Sequence, residues 1–141
     1  MINKTKQQGF TIVELLIVIV VIGILAALVI TTFTGIQRKA RDTERQTDIK
    51  AIHSQLEAFY AQNGYYPALA EVNTTTLKGL DAAALTAPNS TTAIDSNAST
   101  TAKYQYSPSP STCTTAAGDC TSYTLQASLE GGGTYSKNSL N

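Results

Sequence analysis

The sequence has few of the side chains that most often perform catalysis or bind metal ions. Its 141 residues include no tryptophan, one histidine (His53) and two cysteines, Cys113 and Cys120. A structural zinc site normally needs four cysteine or histidine ligands, so these three residues are too few for one. There is also no nucleophile motif, no glycine-rich phosphate loop and no pair of acids in an evident pocket. We therefore predict no enzyme activity, no cofactor and no metal site.

Charged side chains are also scarce, and their signs balance. Lysine and arginine together number 10, aspartate and glutamate together number 10, and charged residues make up 14% of the chain. A chain without a large basic field has no electrostatic footprint for nucleic acid, so we predict no nucleic-acid partner. The apolar residues make up 43% of the chain, and many of them fall in one run near the N-terminus.

That run extends from Leu15 to Ile30, sixteen consecutive residues without a polar side chain. Together with Ile12 to Glu14, and at about 1.5 Å of rise per residue, it approaches the roughly 30 Å hydrocarbon core of a bilayer. A lone apolar segment in lipid must satisfy its own backbone hydrogen bonds, so a membrane-spanning helix is predicted. Glu14 is the exception within it, because an acid in such a segment is costly and usually functional.

The residues in front of Glu14 offer a reason for its presence. A short polar leader containing Lys4 and Lys6 ends at Gly9 and is followed by Phe10. If the chain is cut after Gly9, Phe10 gains an α-amine, which is normally protonated near neutral pH. Phe10 and Glu14 are four residues apart and share one face of a helix. The cut would therefore place a positive charge close to the acid.

The segment Gly9-Phe10-Thr11-Ile12-Val13-Glu14, with its basic leader and apolar helix, resembles the processing signal of type IV pilins and pseudopilins. The resemblance implies that a prepilin peptidase cleaves after Gly9 and N-methylates Phe10. It also implies that Glu14 promotes assembly by neutralising the Phe10 amine of a neighbouring subunit. Two alternatives are an ordinary secretory signal peptide, cleaved near Ala26-Ala27, and an uncleaved single-span anchor.

The helix is expected to continue beyond the apolar run to about residue 63. Three arginines are each followed by an acid three or four residues later, which predicts ion pairs on a solvated helix face. The predicted pairs are Arg38 with Asp42, Arg41 with Glu44, and Arg45 with Asp48. The next turns are amphipathic, so one side should pack against a sheet. Its apolar stripe consists of Ile49, Ile52, Leu56 and Phe59.

The end of the helix carries a second resemblance. Asn63-Gly64 is a stop signal, and Pro67 follows shortly after it. The segment from Leu56 to Pro67 is similar to the aromatic-x-x-Asn-Gly-x-Tyr-Pro pattern with which major pseudopilins and many short pilins end their long helix. One feature departs from the family. Many pilins have a helix-melting proline that is absent from Ala27 to Gly35, so local melting on assembly is left open.

The rest of the chain predicts a small antiparallel sheet. Residues 103–107, 122–129 and 134–136 read as strands, and the second places Tyr123, Leu125, Ala127 and Leu129 on one face. Pro108 and Pro110 should keep the connection after the first strand out of the ladder. A short helix is predicted over Leu77 to Leu85, with Asp81 as N-cap.

The predicted fold class is therefore α+β, with a long N-terminal helix, half apolar and half amphipathic, packed on a small antiparallel β-sheet. The predicted organisation is a leader over 1–9, a transmembrane and assembly helix over 10–31, and an extracytoplasmic domain over 32–141. That domain comprises the helix to about 63, a variable loop over 64–102 and the sheet region over 103–141.

Cys113 and Cys120 are separated by six residues in the connection between the first two strands. With so few other ligands in the chain, a disulfide is favoured over a metal site. A calcium site at Asp119 is the weaker alternative, because it rests on one carboxylate. A disulfide indicates an oxidising compartment, so we place the C-terminal part outside the cytoplasm.

The resemblance implies a structural subunit of a type IV pilus-like fibre. Its expected partners are like subunits in a homopolymer, prepilin peptidase, an assembly platform in the membrane, and membrane lipid before assembly. The expected location is the inner or cytoplasmic membrane, and then an extracellular or periplasmic fibre. The alternatives are a major pseudopilin of a type II secretion or DNA-uptake system, and a membrane-anchored binding domain that never polymerises.

Overall fold

The computed structural model describes residues 9–141, which fall into two compact units, one ending at Gln37 and the other running from Arg38 to Asn141. A single helix, α1, extends from Ile12 to Asn63 and contributes to both units. It ends where the sequence predicts. Gly64 follows with a φ of +80°, a left-handed conformation that glycine adopts without a Cβ penalty, and its N–H donates to the Tyr60 carbonyl.

The N-terminal unit consists of the first half of α1 and the residues immediately before it. The helix is continuous from residue 27 to residue 35, the stretch in which many pilins have a proline. The hydroxyl of Thr31 donates to the Leu28 carbonyl at 3.0 Å, and that of Thr32 donates to the Val29 carbonyl at 3.0 Å. Such hydroxyl bonds share carbonyls that the helix ladder uses, which slightly weakens and bends helices without breaking them.

The C-terminal unit contains a three-stranded antiparallel sheet in the order β1-β2-β3. Strand β1 is Tyr104–Ser109, β2 is Ser122–Ser128 and β3 is Thr134–Asn138. Tyr106 lies opposite Leu125, and Leu125 lies opposite Lys137. The α+β prediction is confirmed.

The core of the C-terminal unit is formed between the second half of α1 and one face of the sheet. Ile49, Ile52 and Leu56 are fully buried, as the helical stripe predicts, whereas Phe59 is only half-buried. The sheet contributes alternate residues, as the pleat requires, and all are buried. They are Tyr104, Tyr106, Tyr123, Leu125 and Ala127. Burying a side chain of this size contributes about 1.5 to 3 kcal/mol, so the stripe alone is a large stabilising term.

Two details of the predicted sheet are wrong. Leu129 does not extend the inward face of β2, because the strand ends at Ser128 and the chain turns there. Pro108 lies inside β1, opposite Tyr123, and not outside the ladder. The N–H of Tyr106 points away from β2 and donates to the Asp95 carbonyl. Pro108, two residues later, has the same orientation, so its missing N–H costs the β1–β2 ladder nothing.

The segment between α1 and β1 contains two short 3₁₀ helices, Leu69–Glu71 and Ala82–Leu85. Asp81 is the N-cap of the second, and its carboxylate accepts the Ala83 N–H at 3.0 Å. The predicted cap is therefore confirmed, but the helix is shorter than the predicted span from Leu77. Further along this segment, Asp95 forms an isolated parallel bridge with Gln105. It therefore covers the edge of β1 that does not face β2.

A polar network joins α1 to the aromatic part of the core. Tyr123 donates to Glu57 at 2.8 Å, and Tyr66 donates to the other oxygen of the same carboxylate at 2.9 Å. Burial and the bond to Glu57 raise the pKa of Tyr123. His53 is also part of this network, because its Nδ1 lies 2.6 Å from the Tyr123 hydroxyl. Buried tyrosine hydroxyls need such partners, so this network fixes the helix against the sheet.

Candidate functional site

The N-terminus of α1 is closed by a reciprocal pair of hydrogen bonds between Thr11 and Glu14. Thr11 directly precedes the helix, and its hydroxyl accepts the Glu14 N–H at 3.2 Å. In turn, the Glu14 carboxylate accepts the Thr11 N–H at 2.8 Å. This arrangement is a capping box, which satisfies two backbone donors that the first turn leaves unpaired.

Thr11 has a role that the sequence analysis did not assign. Its hydroxyl also donates to Glu14 Oε2 at 2.7 Å, so a single carboxylate oxygen takes both Thr11 bonds. The other oxygen, Oε1, makes no hydrogen bond within residues 9–141. The signal was visible as Thr-x-x-Glu before an apolar run. Glu14 therefore combines a satisfied oxygen, which fixes its position, with an oxygen available to a further donor.

The residues on either side of the predicted cleavage point are accessible. Gly9 is exposed, Phe10 is 81% exposed, and an added Cβ at Gly9 would meet nothing within 4 Å. Neither residue is part of α1, which begins at Ile12. A peptide bond that lies outside the helix and is not covered by other residues is accessible to a processing enzyme. The predicted leader over 1–9, including Lys4 and Lys6, lies outside the described residues except for Gly9.

Behind this terminus, α1 presents a long apolar surface. The large apolar side chains from Phe10 to Ile36 are all exposed, by 48% to 84%. The helix is long and apolar enough to cross a membrane, and it is the one helix in the described part of the chain with that property. The only acid in the first turn is Glu14. The first half of α1 thus has an exposed apolar surface with one carboxylate at its N-terminal end.

The two cysteines form a disulfide with a Cα–Cα distance of 5.1 Å, as predicted. They are also part of the one group of three metal-type ligands found within residues 9–141, together with Asp119. Both sulfur atoms are used by the disulfide, and Asp119 accepts the Thr114 N–H at 2.8 Å. Asp119 therefore closes the disulfide loop by a hydrogen bond to its backbone, and the other two members of the group, both cysteines, are chemically unavailable to a metal.

A second charged cluster lies where α1 meets the turn between β2 and β3. The Glu130 carboxylate accepts two hydrogen bonds from Arg41, at 2.7 and 2.6 Å, and one from Arg45 at 2.9 Å. Asp42 accepts the N–H groups of Glu130 and Gly131 at 2.8 and 2.9 Å. Arg45 is 1% exposed, and its second terminal nitrogen, Nη1, donates to Asp42 at 3.1 Å.

The electrostatics of this cluster follow from its contacts. The hydrogen bond from Arg41, reinforced by Arg45 and opposed by desolvation, lowers the pKa of Glu130 to about 2. Burial acts to raise the pKa of Asp42, but the bonds from the Glu130 and Gly131 N–H groups outweigh it and the pKa is lowered. Both acids are therefore ionised in the folded protein at neutral pH.

This cluster corrects the ion pairs predicted from helical spacing. Arg41 pairs with Glu130 and not with Glu44, and Arg45 pairs with Asp42 and Glu130 and not with Asp48. Asp48 instead accepts the Tyr104 hydroxyl at 2.6 Å. The reason is that Glu130 approaches from a distant turn, and a bidentate arginine–carboxylate pair is stronger than an exposed pair along a helix. The predicted Arg38–Asp42 pair is absent from the described residues.

Comparison with known proteins gives this geometry a context. The family model described as "Prokaryotic N-terminal methylation motif" matches residues 4–30. The type II secretion system core protein G of Aeromonas hydrophila is 39% identical over 80 residues, which are 57% of this chain and 51% of that protein. The type IV major pilin protein PilA of Myxococcus xanthus is 36% identical over 61 residues, 43% of this chain and 28% of the pilin.

The chain therefore carries the N-terminal methylation motif and is similar to type IV pilins and pseudopilins over about half of its length. A further relative is the type II secretion system core protein G of Escherichia coli K12, 40% identical over 62 residues, 44% of this chain and 43% of that protein. The chain spans about half the length, or less, of the curated pilins and pseudopilins that it matches. No solved structure matches it.

Proposed function

We propose that this chain is a structural, non-catalytic subunit of a type IV pilus-like fibre, held in the membrane by α1 before assembly. The observation that carries the proposal is the first half of α1, with every large apolar side chain exposed and a single carboxylate, Glu14, at its end. A helix that is apolar all round is stable only where lipid or other protein covers it. A membrane and a fibre of like subunits provide that cover in turn.

Processing is the first step of this proposal. A prepilin peptidase cleaves the exposed bond between Gly9 and Phe10 and methylates the new amine of Phe10. The cleaved chain loses Lys4 and Lys6, and its N-terminus becomes a protonated amine one residue before Thr11. The exposure of both residues supports this step, because neither is held by the helix.

Assembly is the second step, and the free oxygen of Glu14 is its acceptor. Thr11 holds Glu14 Oε2, so Oε1 is left to receive the Phe10 amine of a neighbouring subunit. An uncompensated acid in an apolar layer is costly, and a paired one is much less so. Pairing across subunits therefore makes the correct axial register the favourable one, while the apolar contacts along α1 supply most of the binding free energy.

The relatives favour two forms of fibre for this chain. Similarity to type II secretion core protein G favours a major pseudopilin, in a secretion or DNA-uptake system, and similarity to PilA favours an extended pilus. In either form the disulfide Cys113–Cys120 requires an oxidising compartment, so the C-terminal unit lies outside the cytoplasm. An assembly platform in the membrane is the remaining partner. A binding domain that never polymerises would leave Gly9 and Glu14 without a role.

The test is the intact mass and N-terminal sequence of the protein purified from membranes and from sheared surface fractions. A chain that starts at Phe10, carries one added methyl group and lacks two hydrogens for the disulfide supports the proposal. A chain that starts at Met1, or shortly after Ala26, overturns it. The fraction in which the processed chain accumulates separates a pilus from a pseudopilus.

A matched pair of glycine variants removes the ambiguity of misfolding. Gly9→Leu should block cleavage, whereas Gly23→Leu should not. The pair is matched because an added Cβ meets nothing within 4 Å at either position. Equal processing of the two variants would contradict a cleavage site at Gly9.

A further inference from the structure

One acid of α1 has no partner in the part of the chain that the structure describes. The side chain of Glu44 is exposed and makes neither a hydrogen bond nor an ion pair within residues 9–141. The other acids of the helix each accept at least one hydrogen bond, and they are Glu14, Asp42, Asp48 and Glu57. Lys39 is likewise exposed, and its amine forms no ion pair in the same range. Two opposite charges on one helix are therefore available to groups outside the chain.

Lys39 and Glu44 cannot pair with each other within one chain. Side chains that meet on a helix are three or four residues apart, and these two are five residues apart. At 3.6 residues per turn, five residues turn through about 140°, so the two side chains leave the helix on nearly opposite sides. Each of them faces a different neighbour when copies of α1 lie side by side. This arrangement suits a heterologous contact, in which one copy presents the cation and the next copy presents the acid.

The proposed contact between the Phe10 amine and Glu14 sets how far neighbouring copies are shifted along their common axis. The four residues from Phe10 to Glu14 span about 6 Å if all of them are helical. Because α1 begins at Ile12, the two preceding steps can be extended, and the span is then about 10 Å. Identical copies are shifted by the same amount at every position. The same shift therefore applies to charged residues further along α1, whatever path the chain takes between them.

The distance from Lys39 to Glu44 matches this shift. Five residues of helix rise by about 7.5 Å, which lies between the two limits. The direction also matches, because in both pairs the cation lies on the N-terminal side of the acid. Arg38, one residue earlier, gives about 9 Å and lies less directly opposite the acid. We propose that Lys39 of one subunit pairs with Glu44 of its neighbour in the fibre, the same neighbour that receives its N-terminal amine. The inference rests on the proposed fibre function and adds a second register contact, outside the apolar half of α1.

The first test measures the amount of fibre sheared from cells that produce the full chain with its peptidase and assembly machinery. Glu44→Gln and Lys39→Gln should each reduce that amount about two- to fivefold, the range for one exposed charge pair. Lys39→Arg keeps the charge and should leave the amount unchanged. Lys50→Gln is the matched control, because Lys50 is an exposed lysine of the same helix with no acid five residues after it. It should also leave the amount unchanged.

Charge reversal tests whether the pair joins different chains. Lys39→Glu and Glu44→Lys should each reduce the amount of fibre about tenfold when produced alone, because each brings like charges together at the contact. Production of the two variants in the same cells should restore most of the fibre, since a subunit of one kind then meets a neighbour of opposite charge. A contact within one chain could not give this rescue, because each variant chain carries two like charges.

Carbodiimide treatment of wild-type fibres tests the distance, because this reagent joins an amine and a carboxylate only where the two are in contact. We expect mass spectrometry to find an amide between Lys39 and Glu44, and to find none in fibres of Lys39→Arg. The pair is overturned by wild-type fibres without this cross-link, by glutamine variants that match the wild type, or by reversed variants that do not rescue each other. Absence of any wild-type fibre would instead overturn the fibre function, and with it the pair that rests on it.

Discussion

Similar apolar side chains are exposed in the first half of α1 and buried in the second half. In the N-terminal unit, Leu25 is 56% exposed and Ile24 is 59% exposed, as is typical of every large apolar residue there. In the C-terminal unit, Ile49, Ile52 and Leu56 are fully buried against the sheet. The second half has a core of its own, whereas the first half has none and depends on what surrounds it.

This difference separates two kinds of mutational effect. A change in the C-terminal unit acts on folding, because the contacts that it alters lie within one chain. A change in the N-terminal half acts on membrane insertion or on association between chains. The predictions below test that separation, starting with the largest effect.

Removal of the Glu14 carboxylate should affect assembly and not membrane insertion. Glu14→Ala is expected to abolish fibres or reduce them by at least an order of magnitude, because the Phe10 amine of the next subunit loses its acceptor. Membrane insertion should be retained or improved, since an acid in an apolar span opposes it. Electron microscopy of sheared fractions and carbonate extraction of membranes measure the two effects. Glu71→Ala, an exposed acid in the C-terminal unit, is the control, and normal fibres from Glu14→Ala would contradict the assembly role.

The same leucine-to-alanine change should have opposite consequences in the two halves. Leu56→Ala, in the closed core, should lower the free energy of unfolding of the C-terminal unit by about 3 to 4 kcal/mol. Leu25→Ala should change that free energy by less than about 0.5 kcal/mol. Urea titrations followed by tyrosine near-UV circular dichroism of the full chain in nanodiscs measure both. Comparable losses from the two variants would show that the units do not fold independently.

The buried arginine of the charged cluster should be the next most sensitive position. Arg45→Met keeps most of the side-chain length, but it leaves Glu130 and the Thr101 carbonyl without one of their donors. Breaking a buried pair by removing one partner costs about 3 kcal/mol. The exposed Arg38→Met is the matched control, with an expected change within about 0.5 kcal/mol. An Arg45→Met variant as stable as the wild type would mean that packing alone holds the turn.

The smallest effect concerns acid. The pKa of Glu130 is about 2 in the folded protein against an ordinary 4.5, and that of Asp42 is also lowered. Below about pH 4.5 the unfolded chain therefore takes up protons that the folded chain does not, and the stability from this cluster declines as the pH falls toward 2. Asp48, whose pKa is raised mainly by burial, contributes in the opposite direction.

Glu130→Gln should flatten this part of the pH profile. Unfolding free energies of the variant and the wild type, measured between pH 5 and pH 2.5, should converge at the acid end. Glu71→Gln provides the control and should leave the slope unchanged. Parallel profiles for Glu130→Gln and the wild type would show that Glu130 does not titrate with folding.

Sequence reasoning succeeded where the physical signal is local. The apolar run, the stripe from Ile49 to Leu56 and the stop at Gly64 are each fixed by residues within a few turns of one another. The disulfide followed from the scarcity of other ligands in the chain. The Thr11–Glu14 capping box is equally local, and its sequence signature is Thr-x-x-Glu directly before an apolar run.

It failed where a distant segment competes with a local partner. Spacing along the helix assigned Arg41 to Glu44, but Glu130, 89 residues away, takes both of its hydrogen bonds. Likewise, the sequence predicted that Pro108 would lie outside the ladder. A proline is tolerated within β1 only at positions that face away from β2, and that orientation depends on which side of β1 faces Asp95.

The capping box at the start of α1 has a consequence for growth of the proposed fibre. With one oxygen of Glu14 held by Thr11, each processed subunit would offer one acceptor and one amine, which would make it a bifunctional monomer that can only extend a chain. A precursor that still carries residues 1–9 keeps the acceptor but has no amine at Phe10. It is then monofunctional, and incorporated at a growing end it would act as a chain terminator, so the rate of cleavage would set the average length of the fibres.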